Sequence, residues 1–205
     1  MNLLQLLFGD KIYLISTIIV KIIFLFRGVQ YGKNFKSKGF PTLKLKGDKN
    51  SIIIKNNVTI IGNVDLRTRE SGKIIFEDNS IIESSRLVAA RECKLIVGEH
   101  SEILPDCIIN GGADIIIGNR CTIGARNSIN SSKHIVNDKT LFHEKKYTHS
   151  PVIIEENCWT GINVVVNSGL TIKKNSIIGA NAVLTKSTEA NSVYIGIPAR
   201  KKENS

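Results

Sequence analysis

Three of the four histidines in this 205-residue chain, His134, His143 and His149, fall in one polar stretch between Asn130 and Pro151. Imidazole exchanges a proton near neutral pH, so a histidine held there can act as a general base toward a hydroxyl or an amine. Metal ligation is the other chemistry open to them. It needs a third convergent ligand, and His143 and His149 stand with five residues between them. His100 occupies an outward slot of a six-residue repeat and reads as structural. Cys93, Cys107, Cys121 and Cys158 form no C-x-x-C pair, which argues against a zinc knuckle or a thioredoxin-type site. The chain has no G-x-x-x-x-G-K-[ST] or G-x-G-x-x-G phosphate loop, so a P-loop kinase or a Rossmann dehydrogenase is disfavoured.

The elements that must position these residues follow from a hexapeptide period. Ile154, Thr160, Val166, Ile172, Ile178 and Leu184 recur every six residues, and only Thr160 breaks the aliphatic rule. Four residues after the first five come Cys158, Val164, Leu170, Ser176 and Ala182, mostly small or slender. The same pattern runs earlier through Val97, Ile103, Ile109 and Ile115, then slips by two to Ile117, Ile123 and Ile129. Such a period predicts short strands and corners, three to a coil of about 18 residues, with aliphatic rungs stacked inside. Each cysteine follows a rung position by four and is expected to be a small buried hydrophobe. The coil should cover roughly residues 50–190, six or seven turns. Its phase is lost over 130–151, and a polar excursion from a rigid scaffold is where function is expected.

The run from Ile154 through Trp159-Thr160-Gly161 to Ile172, followed by Ile178-Gly179-Ala180 and by Ser192 to Arg200, resembles the hexapeptide-repeat acyltransferases. The resemblance implies an all-β left-handed parallel β-helix, a homotrimer, and acetyl-CoA as acetyl donor bound between neighbouring subunits. It divides the chain into an N-terminal amphipathic helical segment (1–30), a β-helix domain (31–190) with an extended loop (130–151), and a C-terminal tail (191–205). The stretch Asn130 to Asp138 is similar to the segment before the loop of bacterial sugar O-acetyltransferases, including capsule- and sialic-acid-modifying ones, which makes His134 the base and His149 the second choice. The acidic residue that usually precedes this histidine is replaced by Ser132 and Lys133, leaving Asp138 or Glu156 as orienting partner. The resemblance places an oxyanion-stabilising backbone N–H near Gly161, with Trp159 as a wall of the site. It sets Gly179 and Ala180 along the pantetheine arm, and Lys186, Arg200 and Lys201 near the nucleotide phosphates. Trp159 could instead cover an apolar corner, and the basic residues could be a solvated tail.

Composition frames these expectations. A 42% hydrophobic, 22% charged chain of this length buries one principal core and is not intrinsically disordered. The net charge is +10, and residues 1–50 supply most of it, with nine Lys/Arg against Asp10 and Asp48. That points to an anionic partner, while 6% aromatics without Arg/aromatic interleaving gives no support for nucleic acid. Residues 12–26 are apolar except for Ser16, Thr17 and Lys21. Fifteen helical residues rise about 22 Å, short of a bilayer core of about 30 Å. The segment, with Leu3, Leu4, Leu6, Leu7 and Phe8 before it, therefore reads as an interfacial helix at an anionic membrane surface, or as a cap on the coil or on a sister subunit. No small-residue cleavage site follows it, so the expected location is the cytoplasm, peripheral to the inner face of the bacterial membrane.

Together these features predict an acetyl-CoA-dependent O-acetyltransferase acting on a sugar hydroxyl of a bacterial surface polysaccharide or its precursor, with no metal. The alternatives are N-acetylation of a nucleotide-linked amino sugar and a non-catalytic solenoid scaffold. A zinc lyase resembling the gamma-type carbonic anhydrases is disfavoured by the histidine spacing.

Overall fold

The computed structural model describes residues 11–136 and 146–203. Residues 1–10, 137–145, 204 and 205, and with them Leu3 to Phe8, Asp138 and His143, lie outside the described residues. From residue 30 onward the chain is a parallel β-solenoid of about seven turns, as a left-handed β-helix has, preceded among the described residues by one helix. Three parallel sheets of seven, nine and seven strands form the walls; the last strand of the nine joins antiparallel.

Stacking explains the repeat. Ile54, Phe76, Val97, Ile117, Ile154 and Ile172 lie in register one above another in the first sheet, all buried. Their spacing also explains why the six-residue phase fades toward the N-terminus. Ile54, Phe76 and Val97 are 22 and 21 residues apart and Val97 and Ile117 are 20, whereas Ile154 and Ile172 are 18. The longer coils carry longer strands in the third sheet, Thr42–Gly47 and Asp65–Glu70 among them, so a strict hexamer count loses step there.

Both ends of the coil extend beyond their expected limits. Gln30–Tyr31 and Lys36–Lys38 pair with Ile53–Ile54 and Thr59–Ile61, so the coil opens at residue 30, not near 50. Residues 191–203 continue the coil: Val193–Ile195 stacks on Ile177–Ile178, with Tyr194 in the inward place, and Arg200–Lys201 pairs back onto it.

Corners are turned by left-handed residues, a conformation Asn tolerates better than most. Asn34, Asn57, Asn79, His100, Asn157, Asn175 and Asn191 all have φ between 54° and 63°. Their side chains form ladders, Asn34 to Asn57 and Asn57 to Asn79 at 3.1 Å, Asn157 to Asn175 at 2.8 Å and Asn175 to Asn191 at 2.7 Å. His100 lies 3.5 Å from Asn79 as a rung of such a ladder, which accounts for the histidine outside the loop.

Helix α1, Lys11–Arg27, covers the N-terminal end. Its buried stripe is Ser16, Thr17, Val20 and Phe24. Phe24 meets Phe35 and Tyr31 at ring-centroid distances of 5.4 and 6.4 Å. The two hydroxyls are buried because a coil end presents unpaired backbone groups: Ser16 Oγ donates to Ser37 O at 2.5 Å, and Ser37 N–H donates to Thr17 Oγ1 at 2.9 Å. Half of that stripe is polar, so the helix turns Ser16 and Thr17 to the protein together with Val20 and Phe24. Among the described residues no helix is long and apolar enough to cross a membrane.

All four cysteines are free and buried, as small inward residues. Burial pushes the Cys93 thiol up to about 11 and raises Cys107. A thiol ionises near 9 in the unfolded chain, so this contribution to stability is intact below that pH and is lost as pH rises toward 11. A maleimide at pH 7 should label the native protein at least about 100-fold more slowly than the guanidine-unfolded chain. Rapid labelling of any one thiol in the folded state would contradict its inward placement.

Candidate active site

The excursion leaves the coil as an antiparallel hairpin in which Ser132–His134 pairs with Tyr147–His149. Its base is fixed by Ser131, fully buried, whose Oγ accepts from the N–H groups of Gly112 (2.9 Å) and Ala113 (3.0 Å) and donates to Ala113 O (2.7 Å). His149 stands at that base with Nδ1 2.8 Å from Ser132 Oγ, and its Nε2 is buried with no hydrogen-bond partner among the described residues. Glycine is required at 112 because a Cβ there would lie 2.4 Å from both His149 Nδ1 and Ser132 Oγ. A groove of about 700 Å³ opens beside the hairpin base, lined by Arg91, Glu92, Gly112, Asp114 and Pro151 among others.

His134 is exposed on the outer part of the hairpin, and the Tyr147 ring lies 4.3 Å from it, inclined by 40°. Tyr147 also stacks with His149 at 6.3 Å, so one tyrosine separates the two imidazoles. Sequence reasoning missed Tyr147; its signal was an aromatic two residues before His149. Among the described residues no carboxylate bonds either imidazole. Asp138 lies outside them, and Glu156 is an exposed coil residue. Ser132, read as a missing acid before His134, instead serves His149.

A second edge forms on the C-terminal coils. Trp159–Thr160 is held between Thr122–Ile123 and Ile177–Ile178. Trp159 is 53% exposed and therefore does not cover a core corner. Gly161 abuts the next coil, where an added Cβ would lie 2.7 Å from Ala180 N. Its own N–H is spent on the ladder, donating to Ile178 O at 2.7 Å. The N–H of Ile162, the first residue of the following turn, has no partner among the described residues. Gly179 N–H donates to Tyr194 O at 2.8 Å, and a Cβ added at Gly179 would lie 2.8 Å from Ile195 Cγ2. Trp159, Gly161, Gly179 and Ala180 thus line one edge, with the Arg200–Lys201 strand beside its last rung.

The cations at that end differ. Lys186 and Arg200 are exposed. Lys201 Nζ sits 2.5 Å from Glu189 Oε2, and that carboxylate holds the ammonium above its ordinary range. The Lys201 charge is already matched, which weakens its assignment to a phosphate.

Thr160, the one break in the aliphatic rule, is fully buried beneath this edge. Its Oγ1 accepts from Asn127 Nδ2 at 2.6 Å and from Gly124 N–H at 3.1 Å, while Val164 N–H donates to Asn127 Oδ1 at 2.6 Å. Asn127 fills the small-residue slot four places after Ile123, so two apparent faults in the repeat satisfy each other.

Residues 151–186 match the family model described as bacterial transferase hexapeptide (six repeats). This hexapeptide-repeat chain is 37% identical over 89 residues to a galactoside O-acetyltransferase of Lactococcus lactis subsp. lactis, covering 43% of its own length and 42% of the relative. It thus spans less than half of the curated relatives it matches first. A hexapeptide-repeat acetyltransferase of Vibrio cholerae O1 biovar eltor, solved with acetyl coenzyme A, superposes with a TM-score of 0.51 at 29% identity, over 54% of this chain and 62% of the other. A polysialic acid O-acetyltransferase superposes with a TM-score of 0.57 over 85% and 88% of the two chains; at 21% identity that likeness shows the fold.

The hairpin and the edge of this hexapeptide-repeat chain occupy different corners. The hairpin departs between Ser128–Asn130 of the third sheet and Val152–Ile154 of the first, whereas Trp159–Thr160 belongs to the second. Among the described residues no group of three or more His, Cys, Asp or Glu is placed to hold a metal ion.

Proposed function

We propose that the protein is an acetyl-CoA-dependent O-acetyltransferase that modifies a sugar hydroxyl of a bacterial surface polysaccharide or its precursor. The observation that carries the reading is an exposed imidazole, His134, on a hairpin pinned to a rigid coil that also bears the Trp159, Gly161, Gly179 and Ala180 edge. In the proposed reaction His134 takes the proton of the sugar hydroxyl as its oxygen attacks the thioester carbonyl. The tetrahedral intermediate collapses by breaking the C–S bond, and the departing CoA thiolate receives the proton from the imidazolium. The Ile162 N–H is the candidate donor to the transient oxyanion. Trp159 walls the thioester end, Gly179 and Ala180 line the pantetheine arm, and Lys186 and Arg200 lie toward its phosphates, with Lys201 as a secondary contact.

His134 and the edge stand on different corners of a narrow prism, so a complete site calls for a histidine from one protomer facing the edge of the next. That supports a homotrimer. Use of acetyl-CoA favours the cytoplasm.

The test is calorimetric titration with acetyl-CoA, joined to a CoA-release assay over a panel of sugars and amino sugars. Saturable binding and release that depends on a hydroxyl-only sugar are the expected results. Release only with amino sugars would replace O-acetylation by N-acetylation, and a folded protein that binds no acetyl-CoA would overturn the enzymatic reading in favour of a scaffold.

A further inference from the structure

Helix α1 leaves its apolar surface uncovered. Eight large hydrophobic side chains between Leu14 and Phe26 are 40–87% exposed, Phe26 the most. They surround the outer face of the helix, while its polar Ser16 and Thr17 are used against the coil end. Soluble monomers rarely leave so continuous an apolar surface in water. A groove of about 650 Å³ runs between the helix and the first coils, bordered by Lys21, Lys36 and Lys38 with Asn34, Asn57 and Thr59. Lys38 Nζ lies 5.5 Å from the Tyr13 ring and Lys21 Nζ 5.9 Å from the Tyr31 ring, which places both ammonium groups along the helix. Among the described residues none of these three lysines is in an ion pair.

We infer that this end of the solenoid docks on a bilayer containing anionic phospholipid, with the outer face of α1 in the interface and the lysine-edged groove over headgroup phosphates. Charge decides the occupant. Between residues 11 and 47 the chain has eight Lys/Arg and no Asp or Glu. A second copy presenting the same surface would bring these cations against their like, whereas an anionic leaflet is complementary to them. The 17-residue helix is about 25 Å long, short of a bilayer core, and it is anchored along its length to the coil, so it lies in the membrane plane. This docking stands independently of the acetyl-transfer reading.

The test is flotation of the full chain with vesicles of phosphatidylcholine alone or mixed with phosphatidylglycerol, without acetyl-CoA. Wild type should float with the mixed vesicles and markedly less with phosphatidylcholine alone. Lys36→Gln and Lys38→Gln together should weaken binding to the mixed vesicles by about fivefold per lysine. Ile18→Ser and Ile22→Ser should lower binding to both by more than about tenfold. Both variants keep the stripe that docks on the coil, and unchanged circular dichroism and thiol protection would confirm folding. A folded wild type that stays at the bottom with mixed vesicles would overturn the inference. So would lysine variants that float as well as wild type. Isoleucine variants that lose an oligomer in light scattering, with wild type not floating, would assign the face to a sister subunit instead.

Discussion

Replacing His134 with alanine should lower acetyl transfer by about 100- to 10,000-fold while leaving acetyl-CoA affinity within about twofold. The separation between turnover and binding is the point of the experiment. His134 is exposed on the hairpin, and its ring contact is with Tyr147. Its loss removes a proton acceptor without disturbing the coil edge assigned to the cofactor. His149 makes the useful comparison. Its Nδ1 is engaged with Ser132 and its Nε2 is buried, so His149→Ala should act by loosening the hairpin base and reduce turnover less. If His149→Ala abolished turnover and His134→Ala left it near wild type, the roles would have to be exchanged. If neither mattered in a protein that transfers acetyl groups, the hairpin would not supply the base.

Thr160→Ile should destabilise the protein although it restores an aliphatic residue to the repeat. Thr160 Oγ1 is the acceptor for Asn127 Nδ2 and a second acceptor for Gly124 N–H, all in a dry interior. Isoleucine would gain apolar contact and leave the Asn127 amide without a partner, at a cost of about 1–3 kcal/mol. A melting temperature lower by roughly 2–8 °C is expected for a chain of this size. Adding Asn127→Val should recover only part of the loss, because Val164 N–H also depends on Asn127 Oδ1. The cycle should therefore show coupling between the two positions. Strictly additive effects, or a Thr160→Ile protein that melts higher than wild type, would refute the pairing.

The sequence by itself determined the solenoid, because stacked rungs demand an aliphatic side chain at a fixed interval, and Ile154 to Leu184 keep that interval. It also determined that the four cysteines point inward, since each stands at the same offset from a rung. The loop histidines could be singled out for the same reason, as residues where the interval fails.

Only the tertiary structure decided the rest. Coils of 20–22 residues at the N-terminal end hid the repeat from a six-residue count, and their register became visible only once strands paired across a whole turn. Thr160 looked like a departure until Asn127, 33 positions earlier, was brought beneath it. The resemblance pointed to an amide near Gly161, but which amide at that corner remains free depends on the carbonyl of Ile178 in the next coil. The helix was legible as apolar, yet the face it buries was not. A coil end exposes backbone donors and acceptors, and these drew Ser16 and Thr17 inward beside Val20 and Phe24, leaving the other large apolar side chains of the helix outward. Hydrogen-bond satisfaction is set by partners distant in sequence, whereas periodic burial is written locally.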